Sequence, residues 1–121
     1  VCDDLLVAYP PVGAARLERL MRLPDHVRVR VAADDPASLD ALGVAAKLGR
    51  RIVDVLVEVD LGMHRVGATS PAKALAVAQQ VERASALRFA GLQFYPGHIR
   101  AHVNEQAPLL RQLSQDLAQY I

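Results

Sequence analysis

Four short apolar segments alternate with four amphipathic segments along this chain of 121 residues. Strands that alternate with helices of about 10–15 residues favour right-handed βαβ crossovers and a parallel sheet. The alternation therefore predicts an α/β fold of about four βα units, either an open doubly wound sheet or half of a (β/α)8 barrel. The predicted strands are residues 5–9, 27–33, 52–60 and 87–95, and the predicted helices are residues 13–23, 37–48, 70–84 and 103–120.

Residue types at the segment ends refine these boundaries. Asp35 before Pro36 and Ser70 before Pro71 are typical of a helix N-cap followed by proline at the first helical position. Pro108 lies inside the last amphipathic segment and predicts a break or a late start of that helix.

The second apolar segment alternates valine with arginine. Arg28 and Arg30 fall on one face, where full burial in a parallel sheet would be costly. We therefore expect both arginines at the exposed amino end of the strand, with burial beginning near Val31.

Composition restricts the classes of protein to which the chain can belong. Hydrophobic residues make up 52% of the chain and charged residues 22%, which is typical of a globular domain. The net charge of +1 gives no indication of nucleic acid or an anionic membrane, and no apolar run reaches the ~18–20 residues of a membrane span. Aromatic residues are only 4%, which predicts an aliphatic core. A single cysteine, Cys2, is consistent with a reducing, cytoplasmic location.

Polar side chains follow each predicted strand at its carboxyl end. Because the carboxyl ends of parallel strands meet at one edge of the sheet, we expect these side chains to converge. Helix capping is the favoured interpretation for the two aspartates after the second strand, whereas Asp60 can either cap the turn at Gly62 or fix the arginine beyond it. The residues at the four strand ends are Tyr9, Asp34, Asp35, Asp60, Met63, His64, Arg65, Tyr95 and His98.

Arg65, Tyr95 and His98 are the strongest functional candidates. Arg65 lies between two glycines that permit close backbone approach, and its guanidinium supplies permanently charged donors for an anionic ligand group. Tyr95 and His98 flank a Pro-Gly turn that fixes the directions of both side chains. Histidine titrates near neutral pH and can donate or relay a proton, so His98 is the candidate catalytic residue. A capped strand end without function is the alternative for the Tyr95 and His98 pair.

Three motifs carry a family resemblance: D-L-L-V-A-Y-P at residues 4–10, V-E-V-D-L-G-M-H-R-V-G at 57–67 and G-L-Q-F-Y-P-G-H at 91–98. Together they resemble the fold-type III pyridoxal-phosphate enzymes. Within that group they resemble the D-threonine aldolase and D-serine dehydratase branch more than the alanine racemases. The most specific part is E-V-D-x-G-M-x-R-x-G followed by G-L-x-x-Y-x-G-H.

The resemblance implies an alanine-racemase-like N-terminal (β/α)8 barrel. Residues 1–121 would be a single partial domain, an interior segment of about strands three to six. Pyridoxal phosphate is the implied cofactor, with Arg65 against its ring and phenolic oxygen and Tyr95 near its ring nitrogen; His98 matches the histidine of the Y-x-G-H turn. The implied activity is cleavage of D-3-hydroxy amino acids to glycine and an aldehyde. The implied parent protein is a homodimer that also binds a divalent metal.

Other functions fit the same residues. A D-serine dehydratase or an amino-acid racemase of this fold type, or a non-catalytic pyridoxal-phosphate-binding barrel, would share these motifs. An unrelated half-barrel binding module is a further alternative.

The lysines depart from the family pattern. Lys47 and Lys73, the two lysines of the chain, fall at solvent-facing positions of predicted helices, whereas the family's Schiff-base lysine follows a strand. We therefore expect the chain to be an internal fragment. The lysine would precede Val1, and the phosphate loop and the metal ligands would follow Ile121. The 121-residue chain alone is predicted to be inactive.

Overall fold

A computed structural model describes residues 2–121, in which four strands alternate with four helices. All neighbouring strands are parallel, in the spatial order β1-β2-β3-β4. The predicted α/β fold of four βα units is therefore confirmed. The elements are β1 (Asp4–Val7), α1 (Ala14–Met21), β2 (Arg28–Ala33), α2 (Pro36–Leu48), β3 (Val53–Glu58), α3 (Pro71–Arg83), β4 (Leu87–Gln93) and α4 (Val103–Ala118).

The sequential strand order distinguishes between the two predicted architectures. A doubly wound sheet reverses its strand order at a switch point, and no reversal occurs among the described strands. Right-handed crossovers in one constant direction place successive helices on the same face of the sheet. The arrangement is that of consecutive βα units of a barrel.

The hydrophobic core lies between the strands and this helical layer. Val53, Val55 and Val57 of β3 are fully buried, and they pack in one cluster with Leu39 and Leu42 of α2. Burying each such side chain contributes about 1.5–3 kcal/mol. The buried cluster contains only leucine, valine and alanine, which confirms the predicted aliphatic core.

The opposite face of the sheet, here called the inner face, carries Asp54, Leu56 and Glu58 of β3. Asp54 is 1% exposed and accepts hydrogen bonds of 2.6 Å from Nε of Arg28 on β2 and Nε of Arg88 on β4. Burial by itself would raise the pKa of Asp54, but the hydrogen bonds and charges of the two arginines outweigh burial and lower it.

The expectation for the arginines of β2 is corrected in one respect. Burial begins at Val27, just before β2, rather than near Val31, and Arg30 is itself partly buried. The adjacent strands tolerate this placement because they supply carboxylates: Asp54 pairs with Arg28, and Asp4 pairs with Arg30.

Several boundaries also differ from the predicted ones. The third strand begins at Val53, and Ile52 before it is 56% exposed. The predicted start was too early because the apolar run in the sequence is longer than the segment that pairs with the neighbouring strands. Helix α4 runs from Val103 through Pro108, so the predicted break or late start is wrong. Proline removes the bond that its N–H would make to the carbonyl of Asn104, but Asn104 is exposed and water can satisfy that carbonyl.

Asp54→Asn is expected to lower the free energy of unfolding near neutral pH by about 2 kcal/mol, because hydrogen bonds to a buried charge are lost. The folded-state pKa of Asp54 is lowered, so its stabilisation is present above the unfolded-state value of 3.8 and is lost as the pH falls through the folded-state pKa. Urea unfolding of both proteins at neutral and acidic pH measures this difference.

The matched control is Asp25→Asn, at a fully exposed carboxylate. We expect this control to leave the unfolding free energy nearly unchanged at every pH. Equal destabilisation by the two substitutions would contradict the role of Asp54.

Candidate functional site

The segment that follows β3 folds back onto the end of that strand. Val59 and Ala68 form a parallel bridge. The Ala68 N–H donates to the carbonyl of Glu58 at 2.8 Å, and the Asp60 N–H donates to the carbonyl of Ala68 at 3.0 Å. Residues 60–67, here called the rim loop, are thus fixed at both ends to the carboxyl end of the central strand.

Asp60 organises the first turn of the rim loop. Its Oδ1 accepts hydrogen bonds of 3.0 Å from the N–H groups of Gly62 and His64, and its Oδ2 lies 3.1 Å from Nδ1 of His64. Burial favours a raised pKa for Asp60, but the bonds from His64 and Gly62 outweigh burial and lower it. Of the two roles considered for Asp60, the structure shows the capping role. The His64 side chain is mostly exposed, as its turn position suggests.

The two aspartates after β2 have different roles. Asp35 accepts a 2.9 Å hydrogen bond from the N–H of Ser38 and caps α2, as predicted. For Asp34 the capping prediction is wrong, because its Oδ2 accepts a 2.6 Å bond from the N–H of Gly67. Side chains alternate along a strand, so Asp34, two residues after Ala32, faces the neighbouring loop rather than its own helix.

Arg65 contacts aromatic residues from both edges of the sheet. The carbon of its guanidinium lies 5.4 Å from the ring centroid of Tyr9, after β1, and 5.6 Å from that of Tyr95, after β4. These distances are within the range of cation–π attraction. The predicted convergence of strand ends is thus observed for Tyr9, Arg65 and Tyr95.

Two glycines provide the space for the aromatic and imidazole rings. A Cβ on Gly62 would lie 3.1 Å from Nε2 of His98, so this imidazole packs against the rim loop. A Cβ on Gly97 would overlap the ring of Tyr95. The contact with Gly62 therefore holds His98 at the site, whereas the contact with Arg65 holds Tyr95 there.

A narrow crevice, too tight to admit a water molecule, lies beside Arg65 at the end of β3. Glu58, Asp60, Met63, Arg65 and Tyr95 are among the residues that line it. A positive charge, a phenol and a buried carboxyl therefore lie close together around this crevice.

Glu58 is the functional candidate that the sequence reasoning missed. It is 3% exposed, and its Oε2 has no hydrogen-bond partner among the described residues. Burial raises the pKa of Glu58, the nearby charge of Asp34 adds to this rise, and the Gln93 amide and the Arg65 charge partly offset it. The spacing of four between Asp54 and Glu58, which places both on one face of the strand, was the available signal.

The lysines lie where the sequence predicted them. Lys47 is exposed on α2, and Lys73 is exposed on α3, where its Nζ donates to Thr69 Oγ1 at 3.0 Å. Residues 2–121 contain no group of three or more His, Cys, Asp and Glu side chains placed to hold a metal ion. None of the described helices has the length and apolar character that crossing a bilayer requires.

The N-terminal domain of alanine racemase is the family that matches residues 6–121. The chain belongs to this family. The aldolases of this family depend in general on pyridoxal phosphate. The family membership confirms the resemblance that the sequence motifs indicated.

Individual relatives place the chain nearer to the aldolases of the family. It is 34% identical over 120 residues to a D-threonine aldolase of an Arthrobacter species and 32% identical over 106 residues to a 3-hydroxy-D-aspartate aldolase of Paracoccus denitrificans. The crystal structure of D-threonine aldolase from Filomicrobium marinum superimposes with a TM-score of 0.90 at 32% identity.

The chain matches only part of each relative. The matches cover 98%, 87% and 98% of this chain, but 32%, 27% and 32% of the Arthrobacter, Paracoccus and Filomicrobium proteins. The chain therefore spans about a third of the length of the relatives it resembles.

Gly67→Ala is expected to disrupt the rim loop. An added Cβ would lie 2.6 Å from the backbone nitrogen of Asp60, and the φ of +112° is one that side-chain-bearing residues rarely adopt. We expect a loss of more than about 2 kcal/mol in unfolding free energy, together with faster amide hydrogen exchange in the loop.

Gly13→Ala is the matched control, because Gly13 also has a positive φ, of +97°, but an added Cβ there meets no atom within 4 Å. That substitution carries the backbone strain of about 1–3 kcal/mol but no steric overlap, so we expect Gly67→Ala to be the more destabilising of the two. If both substitutions destabilise equally, close packing at Gly67 is not the constraint.

Proposed function

We propose that residues 1–121 form an interior part of a pyridoxal-phosphate-binding (β/α)8 barrel. We propose further that the protein is a D-amino-acid lyase, which cleaves D-3-hydroxy amino acids to glycine and an aldehyde. The observation that carries this proposal is the position of Arg65 over the rings of Tyr9 and Tyr95, at the carboxyl ends of the strands. The similarity to D-threonine aldolase over 98% of the chain supports it.

The residues present fit one side of such a cofactor. Arg65 offers a fixed fork of donors for an anionic oxygen, and Tyr95 offers a phenol beside it. Several arginines of residues 2–121 form ion pairs with acidic side chains. Arg65 is not among them, so its guanidinium is available to a ligand. The described strand ends carry no lysine, and we propose that the lysine that holds the cofactor covalently lies outside these residues.

Each side chain has a distinct proposed role. Pyridoxal phosphate, when bound, withdraws electrons from the substrate carbon whose bond is broken. Arg65 would hold the phenolic oxygen of the cofactor, and Tyr95 would offer a hydrogen bond near its ring nitrogen. A neutral phenol leaves that nitrogen less positively charged than a carboxylate partner would.

His98 is the proposed proton carrier of this segment. Its imidazole is exposed and is held against Gly62 of the rim loop, so that it can exchange protons with solvent and with a group bound at the site. Asp60 supports this arrangement indirectly, because its carboxylate fixes the turn that contains Gly62.

The remaining parts of the proposal are a divalent metal, a homodimeric parent protein and a cytoplasmic location. Their support is the resemblance of residues 57–67 and 91–98 to the D-threonine aldolase branch. The 3-hydroxy-D-aspartate aldolase relative makes D-3-hydroxyaspartate a second candidate substrate beside D-threonine.

The full-length protein, supplied with pyridoxal phosphate and a divalent metal, is expected to convert D-threonine into glycine and acetaldehyde. Arg65→Gln is expected to reduce kcat/KM by about 100-fold, as removal of a preorganised charged donor does. Arg65→Lys keeps the charge without the planar fork and is expected to fall between the two.

L-Threonine is the control substrate and is expected to give no product. Ammonia together with a 2-oxo acid would identify a dehydratase instead, and inversion at Cα would identify a racemase. Cofactor binding without turnover of either candidate substrate would indicate a non-catalytic carrier.

The 121-residue chain alone is expected to form no stoichiometric borohydride-reducible adduct with pyridoxal phosphate. Lys47 and Lys73 lie on exposed helix surfaces, where nothing singles out either amine. Peptide mass spectrometry after reduction measures the modification, and the full-length protein serves as the positive control. A specific, stoichiometric adduct at Lys47 or Lys73 would contradict the assignment.

A further inference from the structure

The buried carboxyl of Glu58 has no role in the function proposed above. It lies at the carboxyl end of β3, opposite Gln93 of β4 in the strand register, and its own backbone carbonyl is bonded to Ala68. The pairing with β4 and the hydrogen bond from Ala68 therefore fix the position of the Glu58 backbone. Glu58 lines the same crevice as Arg65 and Tyr95.

Glu58 combines deep burial with an unfilled acceptor. With 3% of the residue exposed, water cannot solvate the carboxyl fully, and Oε2 finds no donor within residues 2–121. Oε1 of Gln93 is likewise buried and unpartnered. A buried carboxylate in this condition is costly unless a positive charge compensates it.

Arg65 is the cation that supplies part of this compensation, beside the hydrogen bond of the Gln93 amide. The other arginines of the inner face are engaged elsewhere: Arg28 and Arg88 pair with Asp54, and Arg30 pairs with Asp4.

The groups around Glu58 come from every neighbouring element. Asp34 at the end of β2 repels its charge, the Gln93 amide on β4 stabilises it, and Arg65 of the rim loop attracts it. Arg65 is thus the attractive charge among the groups that face Glu58 in the described part of the chain.

The attraction also constrains Arg65. Arg65 is an exposed residue, and its contacts with Tyr9 and Tyr95 hold the guanidinium at the strand ends. The negative charge of Glu58 favours the same position. Because Glu58 lies within Coulomb range of Arg65 but forms no direct ion pair with it, the donors of the guanidinium remain available.

We propose that Glu58 is a positioning residue, which holds the guanidinium of Arg65 at the carboxyl ends of the strands so that its free donors meet an anionic group of the ligand. The identity of that ligand as pyridoxal phosphate rests on the proposed function. The coupling between Glu58 and Arg65 does not depend on it.

The coupling is tested by titrating Glu58 in the full-length protein labelled with ¹³C at the glutamate carboxyls. Arg65 lowers the pKa of Glu58, so Arg65→Gln is expected to shift the Glu58 midpoint to higher pH. Arg65→Lys is expected to restore most of the original midpoint. Arg83→Gln, at an exposed arginine in the last turn of α3, is the control and is expected to cause no shift.

The positioning role is tested by the affinity for 4′-deoxypyridoxine 5′-phosphate, which lacks the aldehyde and so reports non-covalent binding. Glu58→Gln is expected to weaken this affinity about tenfold when Arg65 is present, and by less than about twofold in the Arg65→Gln background. Glu58→Asp keeps the charge and is expected to recover part of the affinity. Glu82→Gln, at an exposed glutamate of α3, is the matched control.

The outcomes separate the two proposals. An unchanged Glu58 midpoint in Arg65→Gln overturns the positioning role, and so does an equal loss of affinity in both backgrounds. If no variant and no wild-type protein binds the probe, the proposed cofactor fails while the titration still decides the coupling. If Glu58→Gln does not fold, the titration of the Arg65 variants alone remains decisive.

Discussion

Three carboxylates lie on or just after the central strand, β3, and each requires hydrogen-bond donors or positive charges from the neighbouring elements. Burying a carboxylate is costly unless donors or cations surround it. Asp54 is satisfied by arginines from the strands on both sides, and Asp60 is satisfied by N–H groups of the rim loop. Glu58 lacks such a partner on Oε2, and the Gln93 amide and the charge of Arg65 only partly offset its burial. The two ends of the inner face therefore differ. Near the amino end of β3, Asp54 forms ion pairs with two arginines, whereas at the carboxyl end Arg65 forms no ion pair with the described residues.

The features that local periodicity controls could be predicted from the sequence. The alternation of strands and helices, the aliphatic core and the caps at Asp35 and Ser70 all depend on residues close together in the chain, and all are observed. The pairing of Asp54 with Arg28 and Arg88 could not be predicted in this way. Those partners are 26 and 34 residues distant, and only the register of the sheet brings them together.

The site shows the same division between general rules and specific contacts. The convergence of Tyr9, Arg65 and Tyr95 follows from the rule that parallel strands end at one edge. The bond from Gly67 to Asp34 was missed, because capping preferences consider only the helix that follows an aspartate. Pro108 was misjudged for a related reason: a local rule was applied to a helix whose exposed carbonyl tolerates the lost bond.

The contacts of Arg65 with two aromatic rings have a consequence for the thermodynamics of binding. Immobilising a free arginine side chain costs up to about 2 kcal/mol of conformational entropy. Here the rings restrict the side chain before any ligand arrives, so that much of this entropy is lost during folding. An anion that binds Arg65 meets a preorganised cation. Its affinity is then governed more by how well its shape fits the guanidinium than by the ordering of a mobile surface residue.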